Sequence, residues 1–356
     1  MAGNATVARP PTRPSEEKRN SIAEDSAAVR NLAMELVRVT EAAAIRAARW
    51  VGHGDKIAAD RAARDAVGDA LRFVDMDGVT VLSEGEKDQA PMIPIGSHVG
   101  NGMGPEVDFA VDPIDGTTLT ARGLPNAISV VAVAERGAMF TCPHVAYMRK
   151  IAVGSQAKGA IDINASTEHN LARIARYCDK DIKDLTVVIL DRPRHETLME
   201  EVRSAGARIK LISDGDVAGA VTAAMDDYTG VDVLVGTGGT PEAVLAACAL
   251  KALGGDMQAK LWIRNDEERQ RAIDAGITDL DRVLTLDDLV QGDDAYFAAT
   301  GITTGEFLQG VSFGPNTAQT QSVMMRSRSG TLRFITTRHN IGLKRHLPMG
   351  AAYVPG

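Results

Sequence analysis

Asp112 and Asp115 stand three residues apart near the end of Val107-Asp108-Phe109-Ala110-Val111-Asp112-Pro113-Ile114-Asp115-Gly116-Thr117-Thr118. The stretch opens as an apolar, strand-like run and closes in a turn. Pro113 lacks the N–H that strand pairing uses, so pairing is expected to stop there. Gly116 lets the backbone bend and approach a ligand. Two carboxylates brought close together repel, so such a pair shares a proton or binds a cation. Oxygen donors of this kind, with a Thr hydroxyl, carbonyls and water, suit a hard divalent ion such as Mg²⁺ or Mn²⁺. The plain alternative is a polar turn after a core strand.

Other charged groups fall at comparable places. Val79–Leu82 reads as a short buried strand running into Ser83-Glu84-Gly85-Glu86-Lys87-Asp88. Strand alternation would put Glu84 and Glu86 on one side, at the end of a strand where open α/β sheets hold ligands. Lys56 and Asp60, four apart, share one face of a helix expected over Ile57–Phe73; a surface ion pair is the bland reading. In the second half, strands at 185–190, 208–212 and 231–235 run into Asp191-Arg192-Pro193-Arg194-His195, Ser213-Asp214-Gly215-Asp216 and Gly236-Thr237-Gly238-Gly239-Thr240-Pro241-Glu242, each followed by a helix. Thr240 fits a helix N-cap and Pro241 the first helical position. The free amides there favour an anion, yet Glu242 would repel phosphate unless a metal intervened. The guanidinium forks of Arg192 and Arg194 match phosphate oxygens, although an exposed basic turn has the same sequence. Tyr147, Arg149 and Lys150 lie between strands, to point into a cleft or to decorate a loop.

The elements that must position these groups are those of a large α/β chain. Its 356 residues are 44% hydrophobic with few aromatics, which suits close helix-on-sheet packing. Residues 1–25 are expected to be a disordered tail, Ala27–Trp50 a helix, Asn126–Ala134 and Ile151–Val153 strands, 266–274 a helix, Ala295–Ala299 a strand and 344–356 a loose tail. Three strand-turn-helix units in succession predict a largely parallel sheet. A net charge of −8 argues against nucleic acid or an anionic membrane as partner. It also sets a puzzle, because an acidic pocket holds an anion only if metal or local Arg and Lys invert the field. Cys142, Cys178 and Cys248 fit neither a disulfide framework nor zinc spacing. With no signal peptide or membrane-length apolar run, a cytoplasmic location is expected.

Together the motifs resemble class II fructose-1,6-bisphosphatases, the bacterial branch of the lithium-sensitive, metal-dependent sugar phosphatases, from about Asn31 to His339. The carriers are Asp112-Pro113-Ile114-Asp115-Gly116-Thr117, similar to the superfamily signature, and Glu84-Gly85-Glu86. Gly54-Asp55-Lys56, Asp191 to His195, Asp214 to Ala218 and Gly238 to Glu242 are similar to class II motifs specifically. Ser83 replaces the usual first glycine of its motif, Arg61 follows Asp60 where members usually have glycine, and Asp115 stands where many have Glu. A layered αβαβα fold with mixed or parallel sheets is expected, the layering being partly what the resemblance implies, in two subdomains that break near residue 160, 26–160 and 161–343. The resemblance implies metal ligands Asp60, Glu84, Asp112, Asp115 and Glu242 for Mn²⁺ or Mg²⁺, and Thr117 beside the attacking water. Substrate contacts would come from Asp115, Gly116, Thr117, Tyr147, Arg192, Pro193, Arg194, Asp214, Gly215, Asp216 and Gly239. Lys56, Glu86 and Asp88 match further active-site positions. The implied reaction is hydrolysis of fructose 1,6-bisphosphate by a dimer or tetramer. Sedoheptulose 1,7-bisphosphate, inositol phosphate, or a sensor that has lost turnover are the rival expectations.

Overall fold

A computed structural model describes residues 16–84, 93–142, 145–225, 229–274, 276–344, 346 and 350–353. Helices α1 (Glu16–Ala47) and α2 (Lys56–Leu71) lead into strands β1 (Asp77–Ser83), β2 (His98–Val99) and β3 (Glu106–Asp115), then α3 (Thr117–Arg122) and β4 (Ile128–Glu135). Next come β5 (Tyr147–Val153), α4 (Thr167–Tyr177), β6 (Thr186–Leu190), α5 (Glu196–Ser204), β7 (Arg208–Ile212), α6 (Asp216–Ala224), β8 (Val233–Gly239) and α7 (Thr240–Leu253). The chain continues through β9 (Asp256–Leu261), α8 (Asp266–Asp274), β10 (Leu284–Thr285), α9 (Leu286–Leu289), β11 (Tyr296–Gly301), β12 (Ser312–Phe313), β13 (Thr317–Arg326) and β14 (Thr331–Asn340).

Helix α1 starts at Glu16, inside the stretch expected to be disordered. Its first turns hold Glu, Lys, Arg and Ala, good helix formers whose propensity does not depend on an apolar stripe, so apolar periodicity does not report them. Asp55 caps α2, its carboxylate accepting the Ala58 N–H at 2.9 Å. The segment holding Tyr147, Arg149 and Lys150, read as a loop, belongs to β5.

The strands form two sheets. The first runs β12-β13-β11-β4-β3-β1-β2, with β14 also on β13; the second runs β10-β9-β5-β8-β6-β7. In the second, β6 is parallel to β7 and β8, as the repeated strand-turn-helix units predict. Strands β5 and β9 run antiparallel, so the sheet is mixed, not largely parallel. Spacing along the chain reports strands but not the direction of their neighbours. The first sheet draws strands from both sides of the boundary expected near residue 160, because β11–β14 return to it.

Three buried clusters show the layers. Helices α1 and α2 cover one face of the first sheet, α6 and α7 lie between the sheets, and α4 and α5 cover the far face of the second. Alternation on β4 follows this order: Val131 and Val133 face α1 and α2, whereas Val130 and Ala132 face the middle layer. This is the expected αβαβα arrangement. Helix α7 is buried from Ala243 to Leu250, because a sheet lies on each side of it. No described helix is long and apolar enough to cross a membrane.

Candidate active site

The site begins where β3 ends. Pairing with β4 does not stop at Pro113; it skips from Asp112 to Asp115, the irregularity expected where a residue cannot donate. Gly116 follows in the left-handed region (φ +102°), and a Cβ there would meet Leu119 at 2.9 Å. Asp112 is buried. Its Oδ1 accepts the Ile114 N–H at 3.0 Å, while Oδ2 has no hydrogen-bond partner among the described residues. Burial first, then the charges of Glu84, Asp115 and Glu242, push its carboxyl well above the usual range. Asp115 is buried too, its Oδ2 accepting the Ala218 N–H at 2.9 Å in the first turn of α6. Burial raises it strongly, the Ala218 N–H opposes that, and Asp214, Asp216 and Glu242 add to it.

The neighbours of this pair come from four elements. Parallel pairing of β1 with β3 extends to Glu84, whose N–H donates to Val111 O at 3.3 Å, so Glu84 arrives beside Asp112. From α2, Asp60 accepts the Thr117 hydroxyl at 2.9 Å, and Lys56 Nζ donates to the Thr118 hydroxyl at 2.8 Å. Both residues therefore serve α3 rather than only the surface. Arg61 is exposed and does not line the cleft, so the added cation does not enter the site. Asp214 Oδ2 accepts the Thr118 N–H at 3.1 Å, and Gly215 (φ +86°) opens α6. Glu242 is buried in the first turn of α7. The N-cap of α7 is Gly239, not Thr240, whose hydroxyl instead donates to Val145 O at 2.8 Å. A Cβ on Gly239 would overlap the Glu242 carboxylate, and one on Gly238 the Asp216 carboxylate. These glycines are small because carboxylates occupy the space.

These groups line one cleft of about 470 Å³. Its wall includes Lys56, Asp60 and Glu84 from the first layers, and Asp115, Gly116 and Thr117 from the β3–α3 turn. Tyr147, Arg192, Arg194, Asp214, Asp216, Gly239 and Glu242 complete it. Asp112 lies buried among the same carboxylates, and Pro193 and Gly215 shape their turns without lining the cleft. Glu86 and Asp88 lie outside the described residues. Among the described residues no three carboxylates close on a single point as a formed coordination sphere does. The fit to a divalent cation rests on the donor chemistry: all-oxygen groups, with the Asp112 and Asp115 carboxyls both raised, around a buried Asp112 oxygen that lacks a partner among the described residues.

The sequence matches the family described as "Bacterial fructose-1,6-bisphosphatase, glpX-encoded" over residues 30–339. The chain belongs to this family. Among curated relatives, it is 46% identical over 323 residues to a Haemophilus influenzae protein named fructose-1,6-bisphosphatase class 2, covering 87% of this chain and 96% of that one. It is 42% identical over 332 residues to fructose-1,6-bisphosphatase 1 class 2 of Escherichia coli K12, covering 88% and 97%.

The basic turn after β6 lines the same cleft. Arg194 donates from Nε and Nη2 to Thr237 O at 3.2 and 2.7 Å, which fixes its guanidinium, and it lies 5.4 Å from the Tyr147 ring centre. His195 is buried behind it. The Thr237 N–H donates to His195 Nε2 at 2.8 Å, so the ring proton sits on Nδ1 and is given to Leu190 O at 2.7 Å. That doubly bonded ring staples the arginine turn to β8. Sequence reasoning assigned no role to His195, Thr118 or Gly238 by itself, and it left Lys150 undecided. The signal for Lys150 was available: in β5 it alternates with Met148 and Ala152, and a lysine on a core-facing side needs a partner.

Proposed function

We propose that this cleft hydrolyses the 1-phosphate of fructose 1,6-bisphosphate, giving fructose 6-phosphate and phosphate, with divalent ions held at its acidic end. Family membership carries the reaction class: the chain is a fructose-1,6-bisphosphatase, a phosphoric monoester hydrolase. The observation that supports the assignment of ends is that one cleft joins a buried carboxylate cluster to a fixed arginine turn. Asp60, Glu84, Asp112, Asp115 and Glu242 would hold Mn²⁺ or Mg²⁺, which, bound there, supplies charge neutralisation of the phosphate and a water of lowered pKa. The Thr117 hydroxyl, held by Asp60, would orient that water toward phosphorus. Lys56, held against Thr118 at the start of α3, would bring a positive charge to the leaving side. Arg192 and Arg194 would grip the 6-phosphate, so that binding energy remote from the reaction places the reacting end. A small phosphorylated sugar as substrate is consistent with a cytoplasmic enzyme of gluconeogenesis.

The test is phosphate release from fructose 1,6-bisphosphate with Mn²⁺, with Mg²⁺ and with chelator. Release that needs metal, and that Asp112→Ala abolishes without unfolding the protein, supports the reading. Turnover retained by Asp112→Ala would sink the metal assignment. Sedoheptulose 1,7-bisphosphate in the same assay measures substrate range. Removing Arg192 should raise KM for both bisphosphates and leave any monophosphate activity unchanged.

A further inference from the structure

A cavity of about 410 Å³ lies on the far face of the second sheet, with β5 and β8 on one side and α4 and α5 on the other. Protein interiors close-pack, so a gap of this size between packed layers calls for an occupant. It falls in the size range of small-molecule sites. Most of its wall is apolar: Ile151 and Val235 from the sheet, Leu171 and Ile174 from α4, Leu198 and Val202 from α5. Val235 and Leu198 are only partly buried and border the open space. Charge gathers at one end. Thr237 of β8 is the cross-strand partner of Arg149, and its carbonyl oxygen accepts Nε and Nη2 of Arg194, so a single residue brings both guanidiniums to that end. Arg149 is fixed in turn by donating to Ile163 O. Among the described lining residues Glu201 is the only carboxylate, and it already accepts the Thr167 hydroxyl. Alternation sends Lys150 to the other face of β5, where it pairs with Asp216. In a chain of net charge −8, this wall therefore carries two arginines against one glutamate. Arg194 borders the catalytic cleft as well, so it is shared between the two spaces.

We propose that this cavity is a regulatory site for a small carboxylate with an apolar body, and that its occupant opposes substrate binding through Arg194. The apolar body fills the space between the sheet and the two helices, and the carboxylate meets the forks of Arg149 and Arg194. The apolar wall and Glu201 favour this singly charged group over a phosphate dianion, which costs more to desolvate. The coupling rests on the bisphosphatase reading, in which Arg194 serves the 6-phosphate; binding in the cavity does not. An anion on the cavity side competes for the same guanidinium, so it raises KM and leaves kcat. The probes are naphthoate and its neutral counterpart naphthamide, measured by calorimetry on the full chain with Mn²⁺. Naphthoate should bind with a Kd of about 1 mM or tighter, and naphthamide about tenfold more weakly or worse. Arg149→Gln, at an exposed position, should weaken naphthoate about tenfold and move naphthamide by less than about twofold, a charge-specific change that a structural role would not give. Leu198→Trp fills the cavity and should abolish binding of both. Saturating naphthoate should raise KM for fructose 1,6-bisphosphate about threefold or more, and the substrate should weaken naphthoate by the same factor. No binding of naphthoate, equal binding of naphthamide, or an unchanged KM would overturn the proposal. So would binding that ignores both variants, which would place naphthoate elsewhere, as on the metal of the cleft. A parent protein that releases no phosphate while Arg149→Gln still weakens naphthoate would count against the reaction reading alone, and the coupling would then be read in fructose 1,6-bisphosphate binding.

Discussion

Asp112→Asn should make the metal-free protein more stable and the enzyme inert. The Asp112 carboxyl is buried, its Oδ2 has no partner among the described residues, and Glu84, Asp115 and Glu242 all bear on it with the same sign. Asparagine keeps the volume and the acceptor that takes the Ile114 N–H, cannot ionise beside the other carboxylates, and puts a donor where Oδ2 was. An unsatisfied buried polar atom costs about 1–3 kcal/mol, and that is the gain expected in chelator. For 356 residues unfolding together, an entropy of about 2.1 cal/mol/K per residue amounts to about 0.75 kcal/mol/K, so the gain reads as roughly 1.5–4 °C. Metal at a hundred times its Kd should stabilise the parent by about 2.7 kcal/mol and the variant by far less. The two melting temperatures should therefore exchange order between EDTA and saturating Mn²⁺. A variant that melts below the parent in EDTA, or that gains as much from Mn²⁺, would refute the claim that Asp112 is held in a crowded carboxyl cluster suited to a cation.

Two glycines make a matched pair of tests. Gly239→Ala drives a Cβ into the Glu242 carboxylate, and kcat/KM should fall by about a hundredfold or more, a loss measurable by phosphate release. Gly68→Ala, in the last turn of α2 with nothing within 4 Å of the new methyl, should leave kcat/KM alone and raise stability by roughly 0.5–1 kcal/mol in a denaturant titration. Acid should weaken the fold through His339, which burial, and secondarily the Lys344 charge, push down to about 4. A histidine depressed in the folded state binds its proton in the unfolded chain first, so its contribution is intact above pH ~6.5 and lost as pH falls toward ~4, by up to about 3 kcal/mol. Urea midpoints should fall across that window in the parent and fall less in His339→Gln; an equal fall in both would assign the acid lability elsewhere.

Much of the site could be read from the sequence because each part is local. A strand that ends in two carboxylates and a glycine, or a proline at the first position of a helix, shows itself within a dozen residues, and the structure brings nearly all such groups to one cleft. What stayed hidden depends on which element lies beside which. The antiparallel run of β5 against β8 places Lys150 opposite Gly236, one strand away from a glycine that leaves room for Asp216. No spacing within either segment carries that information. The return of β11–β14 to the first sheet was equally silent, since a strand's own pattern says which face is apolar and not which sheet it joins. Nor did Thr240 show that its hydroxyl would turn to Val145 and leave the N-cap to Gly239. The acidic net charge beside an anionic substrate was legible as a puzzle, and its answer has two parts of different origin. Cations from solution would neutralise the group around Asp112. For Asp216 the counter-charge is covalently built in, as Lys150, and a fixed ammonium cannot be exchanged, chelated or displaced by substrate. The carboxylates around Asp112 should therefore respond to metal concentration, and the Lys150–Asp216 pair beside them should not.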